Sequence, residues 1–260
     1  MKKGISIWSF PKDMSISDCI KLARHAGFDG IELALGLEGS LSIESSDNDV
    51  IRYRALAEKE GIEISSLATD LFWSYPFTSE KSEIREKAMS IAMKQLDIAA
   101  LLGVDTILVV PGAVGVDFIP SSEIVDYDVA YERAFKAIKE LSKYSEEKKI
   151  FLGLENVWNK FLLSPLEMKN FIDNIGSPYV GSYLDVGNVI YIGYPEQWVK
   201  ILGKHIKKVH FKDYRRDVGN AAGFVDLLSG DVNFPAVIEN LTNIGYNGYI
   251  IAEMIPPSPF

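Results

Sequence analysis

A short apolar run rich in β-branched residues recurs about every 20 to 40 positions, each followed by a longer segment of helical period. Eight such runs can be read, at residues 4–8, 30–34, 63–68, 106–110, 151–155, 180–185, 208–210 and 249–253. Strands that alternate with helices pair in parallel, because each crossover returns the chain in the same direction. Eight of them predict a closed (β/α)8 barrel of the α/β class, a TIM barrel, rather than an open doubly wound sheet. No linker or low-complexity stretch interrupts residues 1–260, so one domain is expected.

The punctuation between the runs agrees. Ser164-Pro165-Leu166-Glu167 reads as a capping box with proline at the first helical position. Pro195 and Pro235 mark two further helix starts, and Gly27, Gly61, Gly103, Gly176, Gly203 and Gly245 mark helix ends. After the eighth run, Ile255-Pro256-Pro257-Ser258-Pro259 cannot form a helix, so the last outer helix is expected to be missing.

Composition narrows the function. A net charge of -9 argues against a nucleic-acid partner, whose phosphates call for clustered Lys and Arg. No run reaches the roughly 18 apolar residues that span a bilayer. The single Cys19 reads as a small buried residue and fits a reducing compartment, so a cytoplasmic protein is expected, with homo-oligomerisation left open. Gly112-Ala113-Val114-Gly115 is too short for a nucleotide-binding fingerprint.

Four of the runs close on ionisable residues that a buried strand does not tolerate without partners: Glu155, Asp185, His210 and Glu253. In a parallel barrel the carboxyl ends of all strands face one mouth, and these four close the fifth to eighth strands, neighbours around the ring. Singly, each has another explanation. Either glutamate can be paired with a lysine, Asp185 can cap the turn that follows it, and His210 can be a satisfied core histidine. Together, three carboxylates in one mouth repel one another unless a cation joins them. The oxygen-rich set favours Mn2+, Mg2+ or Co2+, with catalytic Zn2+ also allowed.

Gly153-Leu154-Glu155-Asn156-Val157-Trp158-Asn159-Lys160-Phe161, Tyr183-Leu184-Asp185-Val186-Gly187-Asn188 and His210-Phe211-Lys212-Asp213 resemble the xylose isomerase-like barrel family, in its sugar-phosphate isomerase/epimerase branch that includes ketose 3-epimerases. The resemblance implies that Glu155, Asp185, His210 and Glu253 bind one divalent metal. It also implies that Glu155 and Glu253 exchange protons with a ketose or ketose phosphate through a metal-stabilised enediolate. It makes Arg216 a substrate-orienting residue, with Lys212 a second cation nearby. Asn188 stands where such epimerases often carry histidine, and an amide cannot carry a proton. Trp8 and Trp158 are expected to wall the pocket, and Phe72-Trp73-Ser74-Tyr75-Pro76-Phe77 to form a lid or a dimer contact.

Three other functions are weighed against the same residues. A dehydratase of the inosose or dehydroshikimate type expels a hydroxyl from the same enolate. An endonuclease IV-like hydrolase needs a histidine-rich metal cluster, and this chain has only His25, His205 and His210. A non-catalytic sugar-binding barrel binds without solvent exchange.

Overall fold

The computed structural model describes residues 1–254. Eight parallel strands close into one barrel. They are β1 (Lys2–Ser6), β2 (Gly30–Ala34), β3 (Glu63–Ala68), β4 (Thr106–Val109), β5 (Phe151–Glu155), β6 (Val180–Asp185), β7 (Ile206–Phe211) and β10 (Tyr249–Ala252). The ring is sealed where β1 pairs with β10, Lys2 opposite Tyr249 and Ile5 opposite Ala252. Strands covered on both faces lose the polar alternation of a half-exposed sheet, and β6 is buried along its whole length.

Outside lie α1 (Ile16–His25), α2 (Asp47–Glu60), α4 (Ser82–Leu102), α5 (Tyr127–Lys148), α6 (Pro165–Ile175), α8 (Pro195–Leu202) and α9 (Phe234–Asn243). Two short helices, α3 (Leu71–Ser74) and α7 (Val186–Ile190), sit in the loops that leave β3 and β6. Cys19 is buried on α1, where burial, with Asp18 adding to it, pushes its thiol up to about 11.

All six helix-ending glycines have positive φ. The end of α5 carries no glycine: Lys149 adopts φ 58°, ψ 40° there, with its N–H donating to Glu146 and Ser145 carbonyls. At α6, the Ser164 hydroxyl accepts from the Glu167 N–H at 3.2 Å. Glu167 does not close the box on Ser164; it accepts from the Leu163 N–H at 2.9 Å and from the Tyr127 hydroxyl at 2.5 Å.

Two sequence expectations are corrected and one further element appears. The first strand lies two residues earlier than read, so Trp8 sits in a 3-10 turn (Ile7–Ser9) that Ser6 caps, rather than ending the strand. Of the aromatic stretch after β3, Phe72 and Phe77 are buried with ring centroids 4.9 Å apart; they are core, while Trp73 meets Phe118 of the neighbouring loop edge-on. The loop after β7 folds into a small antiparallel hairpin, β8 (Asp213–Tyr214) with β9 (Phe224–Val225), that periodicity did not reveal. Buried Asp213 organises it by accepting from the N–H groups of Tyr214, Gly230 and Val232. Among the described residues, Glu253 and Met254 follow β10 outside any helix, and residues 255–259 fall outside the described residues. No helix of the described residues is long and apolar enough to cross a membrane.

Candidate active site

Glu155 is the last residue of β5 and Asp185 the last of β6; His210 lies one residue before the end of β7. Glu253 follows β10 directly, and its N–H continues the ladder to the Phe211 carbonyl at 2.9 Å. Parallel pairing sets Asp185 opposite His210. One ligand atom from each of the four residues falls within 4.8 Å of the others, and all four side chains are buried.

The capping reading of Asp185 holds, and one of its oxygens is left over. Its Oδ1 caps α7 by accepting from the Asn188 N–H at 2.8 Å, while Oδ2 is buried without a hydrogen-bond partner. His210 Nδ1 is likewise unpartnered, 3.4 Å from both Glu155 Oε1 and Glu253 Oε2 but without hydrogen-bond geometry. Two buried, unpartnered atoms among converging carboxylates are what a cation would satisfy, so this set of side chains fits a divalent ion.

Lys212 offers partial neutralisation. Its Nζ lies 2.9 Å from Glu253 Oε2 and 3.7 Å from Asp185 Oδ2, so the lysine-paired reading of Glu253 is also realised. One ammonium does not balance the cluster, and Glu155 and the Asp185 Oδ2 stay outside that pair's hydrogen bond. Burial, opposed by Lys212, pushes the Asp185 carboxyl up to about 8, and burial raises that of Glu155 despite His210. Burial acts the same way on Glu253, but Lys212 and His210 outweigh it and hold this carboxyl well below the usual range. The two glutamates are thus set apart by their surroundings.

Sequence reasoning missed the support behind His210. Glu32, in the middle of β2 and fully buried, places Oε1 2.9 Å from His210 Nε2. The Tyr183 and Ser66 hydroxyls both donate to Glu32 Oε2, the latter at 2.9 Å. Burial opposes the charge of Glu32, yet His210 and these hydroxyls keep its carboxyl below the ordinary value. The signal was present: Glu32 interrupts an apolar strand as Glu155 does, but in the strand's middle rather than at its end. Asn156 was also missed as a clamp, its amide exchanging two hydrogen bonds with the backbone of Asp185 at 2.8 and 2.9 Å.

Of the expected substrate contacts, Trp8, Trp158, Asn188 and Lys212 line a cavity of about 260 Å³ together with Glu155 and Glu253. The Trp158 indole N–H donates to the Asn188 carbonyl at 3.1 Å, and the Asn188 amide donates to the Asn156 carbonyl at 3.0 Å. Arg216 is not brought to this cavity. It is exposed, with Nε donating to the Ile190 carbonyl at 3.2 Å and the guanidinium 5.1 Å from the Tyr194 ring centre. His25 ends α1 and His205 pairs with Asp173 at 3.1 Å, so neither joins the cluster.

Fold and site together define a (β/α)8 barrel whose carboxyl rim carries a carboxylate and imidazole cluster able to hold a metal ion. The chain belongs to the xylose isomerase-like TIM barrel family, whose model matches residues 20–259. It is 25% identical over 266 residues to a putative L-ribulose-5-phosphate 3-epimerase of Escherichia coli, covering 96% of this chain and 87% of the relative. It is 27% identical over 218 residues to a 2-epi-5-epi-valiolone 7-phosphate 2-epimerase of an Actinoplanes species, covering 83% and 74% respectively. The solved structure of a D-psicose 3-epimerase in the presence of D-fructose shares the fold, with a TM-score of 0.82 at 20% identity, over 97% of this chain and 84% of that one.

Proposed function

We propose that this chain is a divalent-cation-dependent epimerase that inverts a carbon next to the carbonyl of a ketose or ketose phosphate. One observation carries the reading. Glu155 and Glu253 line the same cavity from strands with β6 and β7 between them, so two carboxylates flank one bound molecule from separated positions on the rim. Inversion needs that arrangement: one carboxylate takes a proton from one face, and the other returns a proton to the opposite face. The epimerase names of the two curated relatives support the same class.

Glu155, Asp185, His210 and Glu253 would hold the cation through their carboxylate oxygens and Nδ1, and the oxygen-rich set favours Mn2+, Mg2+ or Co2+. When bound, such an ion supplies the positive charge that stabilises negative charge developing on the oxygens beside the reacting carbon. Lys212 keeps Glu253 ionised and poised as a base, and its remaining N–H groups face a substrate oxygen in the cavity. Glu155 is the second carboxylate, placed to return a proton from the other side of the bound molecule. Trp8 and Trp158 wall the cavity and exclude water from the exchanging proton. Asn188 holds Trp158 and Asn156 in place and carries no proton. Arg216 can reach the substrate only by leaving its Ile190 and Tyr194 contacts.

The test is incubation of the Mn2+-loaded protein with a panel of ketoses and ketose phosphates in deuterated water. Deuterium at C3 with no other change in mass is the expected result. Label at C1 or C2 would instead assign aldose-ketose isomerisation, and loss of water would assign a dehydratase.

A further inference from the structure

Three cavities meet at the mouth, and the charges that line them differ from what a phosphate ester requires. The inner one, over the cluster, shares Trp8, Trp73 and Glu253 with an outer cleft of about 680 Å³. It shares Phe118, Val157 and Trp158 with a side cleft of about 420 Å³. Resting on the epimerase reading above, we infer that the substrate is an uncharged sugar, a free ketose, although both curated relatives carry a phosphate in their names.

Each cleft has a single lysine, and none brings net positive charge. In the inner cavity Lys212 is held by Glu253 at 2.9 Å. In the side cleft Lys160 is held by Asp117 at 2.9 Å. In the outer cleft Lys12 shares the lining with Glu38 and Asp70, leaving that wall acidic even when Glu253 is counted as neutralised by a cation. No arginine lines any of the three, and residues 255–260 contain no Lys, Arg or His. A phosphoryl group carries a charge of about -1.5 to -2 near neutrality and three strong acceptor oxygens. Placed in the inner or side cleft, it would lose hydration and meet an ammonium already paired with a carboxylate; in the outer cleft Lys12 is outnumbered by Glu38 and Asp70. The remaining inner wall is apolar, with Leu108, Val110 and Phe224 beside the tryptophans, and suits the C–H face of an uncharged chain.

The experiment compares kcat/KM for C3 deuterium exchange between a free ketose and the terminal phosphate ester of the same carbon skeleton, with Mn2+-loaded enzyme. The free sugar is expected to be favoured at least tenfold. In the same assay Asp70→Lys, which removes a rim carboxylate that makes no side-chain capping bond, is expected to shift that ratio toward the ester by several-fold. Preference for the ester by the unaltered enzyme overturns the uncharged-substrate inference while leaving the epimerase intact. Exchange into neither sugar overturns the epimerase reading, and this inference falls with it. A ratio that Asp70→Lys leaves unmoved counts against rim charge as the selector.

Discussion

His210 Nε2 and Glu32 Oε1 lie 2.9 Å apart, with both side chains fully buried inside the barrel. An ionised carboxylate only accepts, so the proton between them belongs to Nε2 and the ring is turned with Nδ1 toward Glu155 and Glu253. Glu32→Gln keeps the size but weakens this hold. Cation affinity is expected to fall about 10- to 100-fold by calorimetry, with the circular dichroism spectrum unchanged. Unaltered affinity would remove Glu32 from the positioning role.

Asp185 predicts how cation binding responds to pH. Its carboxyl is pushed up to about 8 by burial, against the pull of Lys212, so the metal-free protein keeps this proton well above the range of an exposed carboxylate. A raised folded value means stability that is fully present below the unfolded carboxyl value and lost as pH rises through about 8. A cation must displace that proton, so affinity is expected to rise by about one log unit per pH unit between pH 6 and 8, then level off. Proton release on binding, read from calorimetry in buffers of different ionisation enthalpy, checks this. No release would show that Asp185 is already ionised.

Glu155→Gln and Glu253→Gln each remove one proton carrier with almost no change in volume. Each is expected to lower solvent exchange into the substrate by about 10²- to 10⁴-fold, followed by mass spectrometry. A variant that retains exchange frees its residue from proton transfer.

At Gly187, on α7, a methyl group would stand 2.7 Å from the Lys212 carbonyl carbon and oxygen, both backbone atoms that cannot swing aside. Gly187→Ala is therefore expected to destabilise the fold by about 1–3 kcal/mol, seen as a lower denaturation midpoint. It should also disturb the Lys212 to Glu253 pair. An unchanged midpoint would mean that α7 can move away from β7 without loss.

Lys149 holds a left-handed conformation that a side chain makes costly, at φ 58°. Lys149→Gly is expected to stabilise by about 1 kcal/mol in chemical denaturation, since the same turn is kept without the Cβ clash. A less stable variant would mean that the lysine side chain contributes more there than the conformation costs.

The barrel and the four clustered side chains were legible because each depends on a local signal, an apolar run of set length ending in or near one charged residue. Glu32, Tyr183 and Ser66 were not, since they meet only when β2, β3 and β6 curl round to a common interior, and their separations of 34 and 151 residues have no periodicity. Arg216 shows the reverse limit. Its place six residues after His210 is read from the sequence, but it sits in the loop that joins β8 to β9, and that hairpin decides where its guanidinium goes. Trp8 was displaced by the Ser6 cap, a single hydrogen bond that ends β1 early and bends the chain toward the mouth.

The four clustered residues come from β5, β6, β7 and the end of β10, which form one unbroken arc of the ring. The opposite arc, β1 to β4, sends Trp8, Thr69, Trp73 and Val110 into the same cavity and contributes none of the four. Glu32 of β2, which holds His210, and Ser66 of β3, which holds Glu32, are the exceptions, so divergence in what the protein accepts can accumulate on the loops of that semicircle, and recombining halves of two homologues keeps the cluster only where both residues are kept.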